Sequence, residues 1–460
     1  MRSKNASLTE PTETMRRTRS GAFAAVFLFV VMVLVLAAQA YAQQPAPLEL
    51  NLHQAVQMAL RQNPSVQVAV LNLAESHKAS DIALSQLLPQ AGFNVSDRAI
   101  RENIEAFIGI SVPGFPQAVG PFQVFQTGAT FSAPIFDLSL WRQWQASRRN
   151  ITGADAQQLS VREQIVLLVV SQYLTALRSG AEINAAQAEV DLAQALYDQA
   201  SDMEKHGAAT GVDVLRANVE LQNEKQLLII AQTNQRIALY GLAKLLNVDP
   251  QQKITLSDQG AFFETPKVNM DQTLADAYQS RPEMKQLLAQ QQALKDQKAA
   301  DRDSRLPALE FDGNYEQQGT SSSTIIPTYV YEAGISLPLF TGGRIHAQIA
   351  RDDLELKKII ENLQDERNQI ALEVQTAAAQ LESARNQVQV ANLGDDLAKE
   401  EVRQSRDRFQ AGVADNIEVI SAQDALARAD ENRISALYQY SQSRANLAHA
   451  IGRIELLYNK

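Results

Sequence analysis

Apolar residues in this chain follow two different periods. Ile370, Val374, Ala377, Leu381, Ala384, Val388 and Ala391 keep a 4-3-4-3 spacing, the heptad seam of a coiled coil, with alanines that let helices approach closely. An ordinary helical-bundle core has the same pattern. Just upstream the period is two: Tyr329, Tyr331, Ala333, Ile335, Leu337 and Leu339 alternate with Val330, Glu332, Gly334, Ser336 and Pro338. Phe125, Thr127, Ala129, Phe131, Ala133 and Ile135 do the same against Gln126, Gly128, Thr130, Ser132 and Pro134. Such a strand suits a barrel wall between lipid and a wet lumen, and it also suits a soluble sheet.

The two periods recur in one order, because the chain is an internal duplication. "LNLHQAVQMALRQNPSVQ" from Leu50 aligns with "VNMDQTLADAYQSRPEMK" from Val268 at a separation of 218, placing Pro64 over Pro282 and Pro89 over Pro307. "FSAPIFD" at Phe131 matches "ISLPLFT" at Ile335 at a separation of 204, and Gly207 falls over Gly412 at 205. Each half reads as short helix, medium helix, strand, loop, strand, very long helix, tight turn, medium helix. Pro64 and Pro282 suit a helix's first turn; Pro89 and Pro307 stop the medium helix about 25 residues later. The long helix from about Leu138 to His206 measures about 100 Å, and the medium helices on either side of it, laid end to end, nearly match it. The halves differ mainly at "ISVPGFPQAVGPF", a Pro/Gly-rich loop in the first strand pair.

Composition narrows the setting. Residues 21–38 are apolar, follow Arg16, Arg17 and Arg19, and precede Ala40-Tyr41-Ala42, a small-x-small cleavage site. Residues 1–42 therefore read as a signal peptide, with an uncleaved anchor as the alternative and Met15 as an alternative start. The expected division is 1–42 signal peptide, 43–267 first repeat and 268–460 second repeat. Mean hydropathy is -0.22, and the mature chain carries 37 Lys/Arg against 50 Asp/Glu, a formal charge of -13. So acidic a chain does not suggest nucleic-acid binding. It has no cysteine, which excludes disulfides, thiolate metal sites and an N-terminal lipidated cysteine. Export without disulfides fits a bacterial envelope. His53, His77, His206, His346 and His449 are dispersed, with no HExxH, GxSxG or phosphate-binding glycine loop. No catalytic, cofactor or metal site is expected, and the chain does not read as an enzyme.

Four strands per chain cannot close a membrane barrel, whose smallest single-chain examples have about eight. An open sheet in lipid leaves its edge N–H and C=O groups unpaired, so closure requires an oligomer.

"LELNLHQAVQMALRQNPSV" at the start of the duplication, "APIFD" and "LPLFTGG" at the strand-to-helix junctions and "DRFQAGVADNIEVISAQ" at the second turn resemble the TolC-like outer-membrane efflux protein family over nearly the whole mature chain. The resemblance implies a mainly α fold with a small β part: a coiled-coil barrel of long helices joined to a transmembrane β-barrel completed by trimerisation. It implies a passive channel in the outer membrane, taking substrates from an inner-membrane pump and a periplasmic adaptor in tripartite efflux or type I secretion. The alternative is a periplasmic coiled-coil adaptor without a pore, which leaves two matched strand pairs unexplained.

Within that resemblance, Pro134, Phe136, Pro338, Phe340, Gly342 and Gly343 mark the strand-helix junctions. Gly207, Gly211, Gly412 and Val413 mark the hairpin tips where an adaptor would dock. Glu418 matches the first acidic gate position, whereas Ser421 stands where a second acid is common and Phe409 where a tyrosine is. Asp213 is the first turn's contribution. Asp213 and Glu418 also suit helix N-termini, where carboxylates are favoured by about 0.3–1 kcal/mol without any gate.

Overall fold

The computed structural model describes residues 47–459 except 111–112, 115, 208, 259–268, 412 and 415, and only the backbone of 107–108, 409–410 and 416. The signal-peptide expectation and the 267/268 boundary lie outside the described residues.

The first half runs β1 (Leu48–Leu50), α1 (Leu52–Gln62), α2 (Pro64–Ser85), β2 (Gln90–Asn103), α3 (Ile104–Ile108), β3 (Ala118–Phe136), α4 (Leu138–Lys205), α5 (Gly211–Leu246) and β4 (Ile254–Leu256). The second runs α6 (Met270–Ser280), α7 (Pro282–Asp303), β5 (Ala308–Gly319), β6 (Ile326–Ser336), α8 (Arg344–Gln410), α9 (Asn416–Ala450) and α10 (Ile454–Tyr458). At 68 and 67 residues, α4 and α8 are about 100 Å long. Pro64 and Pro282 occupy first-turn positions. The medium helices stop at Ser85 and Asp303, earlier than expected; a tighter turn, with Leu88 N–H donating to Ser85 O at 3.1 Å and Leu306 N–H to Asp303 O at 2.9 Å, carries the chain to each proline.

The helices form one layer of four columns. α4 is flanked by α2 and α5 and by α7 and α9, and α8 packs on α7 and α9. The column order is therefore α2/α5, α4, α7/α9, α8, with each medium pair stacked end to end beside a long helix. The heptad seam is buried as expected: Ile370, Val374 and Ala384 have no exposed surface. Two apolar clusters sit at mid-length. One joins Ile165, Val169 and Tyr173 of α4 to α1, the end of α5 and both short strands; the other joins the α8 seam to α6 and the end of α9.

The duplication survives in individual hydrogen bonds. Asn63, the cap of α2, donates Nδ2–H to Leu245 O at 2.8 Å, and Arg281, the cap of α7, donates Nη1–H to Ala450 O at 3.4 Å. Asn63 aligns with Arg281 at the separation of 218, and Leu245 with Ala450 at 205.

Beyond the expected strands, β1 and β4 pair in parallel and tie the start of the first half to the segment that follows α5. Three residues are too few to show a period, so the sequence pattern is silent on them.

Candidate gate and channel surfaces

The sheet has strand order β2-β3-β5-β6, with every neighbouring pair antiparallel. Register separates its faces. Phe93, Ala129, Tyr315 and Tyr329 lie in one cross-strand row, and Ala91, Phe131, Gly313 and Tyr331 in the next but one. The intervening row on the other face is Gly92, Thr130, Asn314 and Val330, followed by Gln90, Ser132, Asp312 and Glu332. One face is apolar and aromatic and its reverse mostly polar, as the alternation requires. The Phe131 ring lies over Gly313, where a Cβ would come within 2.5 Å of it, and packs 5.7 Å from Tyr331 between centroids.

The junctions differ between halves. Pro134 lies inside β3, beyond the last β2 pair at Ser132, so its missing N–H removes nothing from that ladder. Phe136 ends the strand, and the Asp137 carboxylate caps α4 by accepting from Leu140 N at 3.0 Å. In the second half β6 ends at Ser336, so Pro338 lies past the strand and the alternation expected through Leu339 stops early. Gly342 and Gly343 take φ of 60° and 81°, left-handed values that glycine adopts without strain. Phe340 in this linker is 90% exposed.

At the far ends of the long helices are the tips. Gly207 follows α4 with φ 71°, and Gly211 is the first residue of α5. Asp213, the third residue, accepts from Thr210 N at 2.9 Å and Thr210 Oγ1 at 2.6 Å, contacts that hold its carboxyl below the usual range. Its oxygen is engaged in capping the helix. Val413 donates its backbone N–H to Arg408 O at 3.0 Å and exposes its side chain. Gly412 lies outside the described residues. Phe409 is in the last turn of α8. Glu418 is the third residue of α9, and its Oε1 lies 3.1 Å from Arg408 Nε across the turn. Ser421 is exposed one turn further on. Glu418 and Arg408 are thus brought together, while Asp213 is occupied within its own turn.

Sequence reasoning missed a second acidic surface. A groove of about 900 Å³ between α4, α5 and α9 is lined by Glu182, Glu189, Glu224, Asp424, Asp430 and Glu431 among others. Burial, then the charges of Glu224, Asp430 and Asp424, push the Glu189 carboxyl up to about 7. The available signal was the seven-residue spacing of Glu182 and Glu189 and the four-residue spacing of Glu220 and Glu224, which set acids on single helix faces. Such a surface attracts cations and repels anions; it offers no nucleophile paired with a base.

An antiparallel sheet with one apolar face, mounted on a layer of helices about 100 Å long, defines a subunit of a channel that joins a membrane β-barrel to a helical tunnel. The chain belongs to the Outer membrane efflux protein family, whose profile matches residues 55–248 and 273–453, one segment in each half. This is a family of transport channels, not of enzymes. Among curated relatives, alkaline protease secretion protein AprF of Pseudomonas aeruginosa is 22% identical over 420 residues, covering 88% of this chain and 85% of AprF. Outer membrane protein TolC of Salmonella enteritidis is 19% identical, covering 88% of this chain and 82% of TolC. Among solved structures, the Campylobacter jejuni CmeC outer membrane channel superposes with a TM-score of 0.77 at 18% identity, covering 88% of this chain and 86% of CmeC.

Proposed function

We propose that the chain is the outer-membrane channel of a tripartite efflux or type I secretion system, in which three copies close twelve strands into one barrel and twelve helical columns into one periplasmic tunnel. The observation that carries this reading is the pair of free edges. β2 and β6 end the sheet, and unpaired edges are untenable in lipid. The helical layer ends in the same way. Leu354, Leu372, Val390 and Leu397 are exposed on α8, about 180° round the helix from the buried seam. On α5, Leu215, Val219, Ile229 and Ile237 are equally exposed, on the side away from the residues that face α4. A head-to-tail ring joins β6 to β2, and α8 to the α2/α5 column, of the next copy.

In this assembly the polar sheet face lines the lumen, the aromatic face meets outer-membrane lipid, and Glu418, with Arg408, sits at the periplasmic mouth. The tips around Gly207, Gly211, Gly412 and Val413 receive a periplasmic adaptor, and an inner-membrane transporter supplies the cargo. The relatives, a protease secretion protein in AprF and an outer membrane channel in CmeC, support export without selecting the cargo.

Fractionation of cells, light scattering of the detergent-solubilised protein and planar-bilayer conductance test the proposal together. Outer-membrane location, a mass of three chains and a passive conductance are expected. A monomer with intact strands and no conductance would overturn it in favour of an adaptor.

A further inference from the structure

The chain has two tryptophans, and both stand on α4 just below the foot of β3. Trp141 is the fourth residue of the helix and Trp144 the seventh, with ring centroids 4.9 Å apart. Arg148, one turn further, lays its guanidinium 5.3 Å from the centre of the Trp144 ring, a cation–π contact that leaves the N–H edge of the planar group able to donate. Trp141 is 43% exposed, and Arg148 is exposed. Among the described residues no acid forms an ion pair with Arg148, and after the Asp137 cap the next acid along α4 is Asp155. In a chain with an excess of acids, this stretch carries Arg142, Arg148 and Arg149 and no acid.

The flanks of α4 are occupied at this height, and the tryptophans lie between them. Ser147 Oγ donates to Ser80 Oγ of α2 at 3.1 Å, while Arg142 and Arg149 reach Asp303 and Asp296 of α7. Trp141 and Arg148 are seven residues apart. Further steps of seven lead through Asp155 to Arg162, which pairs with Glu455 of α10, and to Val169 in the mid-length cluster. Such steps keep to one face of a coiled-coil helix, so the tryptophans share the face that carries the small mid-length elements. Within the proposed ring three sets of those elements would fill the bore, which puts this face outside. The next copy meets α8 and the α2/α5 column, and α4 is neither.

We propose that this face of α4 binds the phosphate group of an anionic phospholipid, an inference that rests on the channel reading above. α4 follows β3 after one residue, and at 1.5 Å per residue Trp141 and Trp144 lie about 5 and 9 Å beyond its start. That is the depth of a headgroup layer beginning where the apolar barrel face ends, the level at which tryptophan rings settle. Helical side chains lean toward the N-terminus, so the Arg148 charge returns to the height of Trp144. The indoles cover the ends of the acyl chains and the guanidinium donates to the phosphate oxygens. The duplicated fold does not impose this arrangement, since α8 has no Phe, Tyr or Trp before Phe409.

Tryptophan fluorescence reads the site directly, because Trp141 and Trp144 are the chain's two tryptophans. The full-length protein is reconstituted into phosphatidylcholine vesicles that contain a matched fraction of either phosphatidylglycerol or phosphatidylcholine with brominated chains. Quenching then gives the relative affinity of the two lipids, and conductance confirms insertion. Both lipids are expected to quench, with phosphatidylglycerol preferred about fivefold, the effect of one basic residue at an anionic surface. Arg148→Gln is expected to abolish the preference and Arg148→Lys to keep it. Inorganic phosphate added to the detergent-solubilised protein is expected to leave the emission unchanged; a change that Arg148→Gln removes would overturn the lipid in favour of a free anion. Conducting channels with unquenched tryptophans, or the same lipid preference in wild type and Arg148→Gln, would overturn the site and leave the channel reading standing. Wild-type protein that neither inserts nor conducts would overturn both.

Discussion

Arg408 Nε stands 3.1 Å from Glu418 Oε1, joining the last turn of α8 to the first turn of α9. The pair is exposed, so it contributes at most about 1 kcal/mol to folding, and its consequence is electrical. If three copies surround a narrow mouth, each Glu418 charge there is partly balanced by its own Arg408. Glu418→Gln is expected to lower the cation preference and the divalent block measured from the periplasmic side of a planar bilayer. Arg408→Gln is expected to raise both. Unchanged selectivity in both variants, with the assembly intact, would reduce Glu418 to a favourable helix-start carboxylate.

Asp213 predicts the opposite division of effects. Its carboxylate accepts two hydrogen bonds from Thr210, so Asp213→Asn is expected to weaken the start of α5 by about 0.5–1 kcal/mol and to leave ion selectivity unaltered. Proteolysis at the first tip, compared with selectivity in the same sample, separates these outcomes.

How legible this was depends on whether one residue's partner lies on its own element. Ile370 to Val388 show their burial through spacing alone, and Phe131 and Tyr331 show their face through alternation. Arg408 and Glu418 belong to different helices, and neither has a period that announces the other. Glu189 is similar: its environment is made by Glu224 on α5 and Asp424 and Asp430 on α9, which come together only when the columns pack. Asn63 and Arg281 occupy equivalent caps, yet no spacing tells that both reach a carbonyl about 180 or 170 residues away.

The sheet faces predict a depth-dependent penalty. Tyr331 is at the middle of its 11-residue strand on the aromatic face, and Tyr331→Arg is expected to cost about 2–4 kcal/mol in folding into lipid vesicles. Ile335, one residue from the strand's end, should tolerate arginine at about 0–1 kcal/mol. Asn314→Arg, on the reverse face, is expected to fold like the wild type. Equal penalties at Tyr331 and Asn314 in urea titration would contradict a lipid-facing aromatic side.

Arg281 predicts a loss at mid-length. Its guanidinium is 6% exposed and reaches Glu283 at 2.9 Å, Glu373 at 2.6 Å and the Ala450 carbonyl; Glu283 also accepts from Ser160 Oγ of α4 at 2.7 Å. Arg281→Ala leaves two acids without their cation. Breaking a fully buried pair costs about 3–5 kcal/mol, and the partial exposure of both acids sets the expected loss below that, at about 2–3 kcal/mol. Asn63→Ala, the equivalent cap without acidic partners, should cost about 1 kcal/mol. Chemical denaturation of the two variants ranks them directly.

The last prediction concerns pH and the groove on α4. Glu189 titrates near 7 in the folded protein, against an ordinary value of 4.5, because burial disfavours its charge and Glu224, Asp430 and Asp424 repel it. The folded protein therefore binds this proton more tightly than the unfolded chain. The stabilisation is complete below about pH 4.5 and is lost as pH rises to about 7. Glu189→Gln keeps the shape and removes the charge, so it is expected to flatten the fall in melting temperature across that window and to melt above the wild type at pH 8. Salt tells the two causes apart. At 1 M the screening length is about 3 Å, which suppresses repulsion from the neighbouring acids but leaves the cost of burying a charge. Since burial is the larger cause, most of the wild-type slope should persist in high salt. A slope that vanishes with salt would assign it to the acidic neighbours, and identical slopes in wild type and Glu189→Gln would remove Glu189 from the pH response altogether.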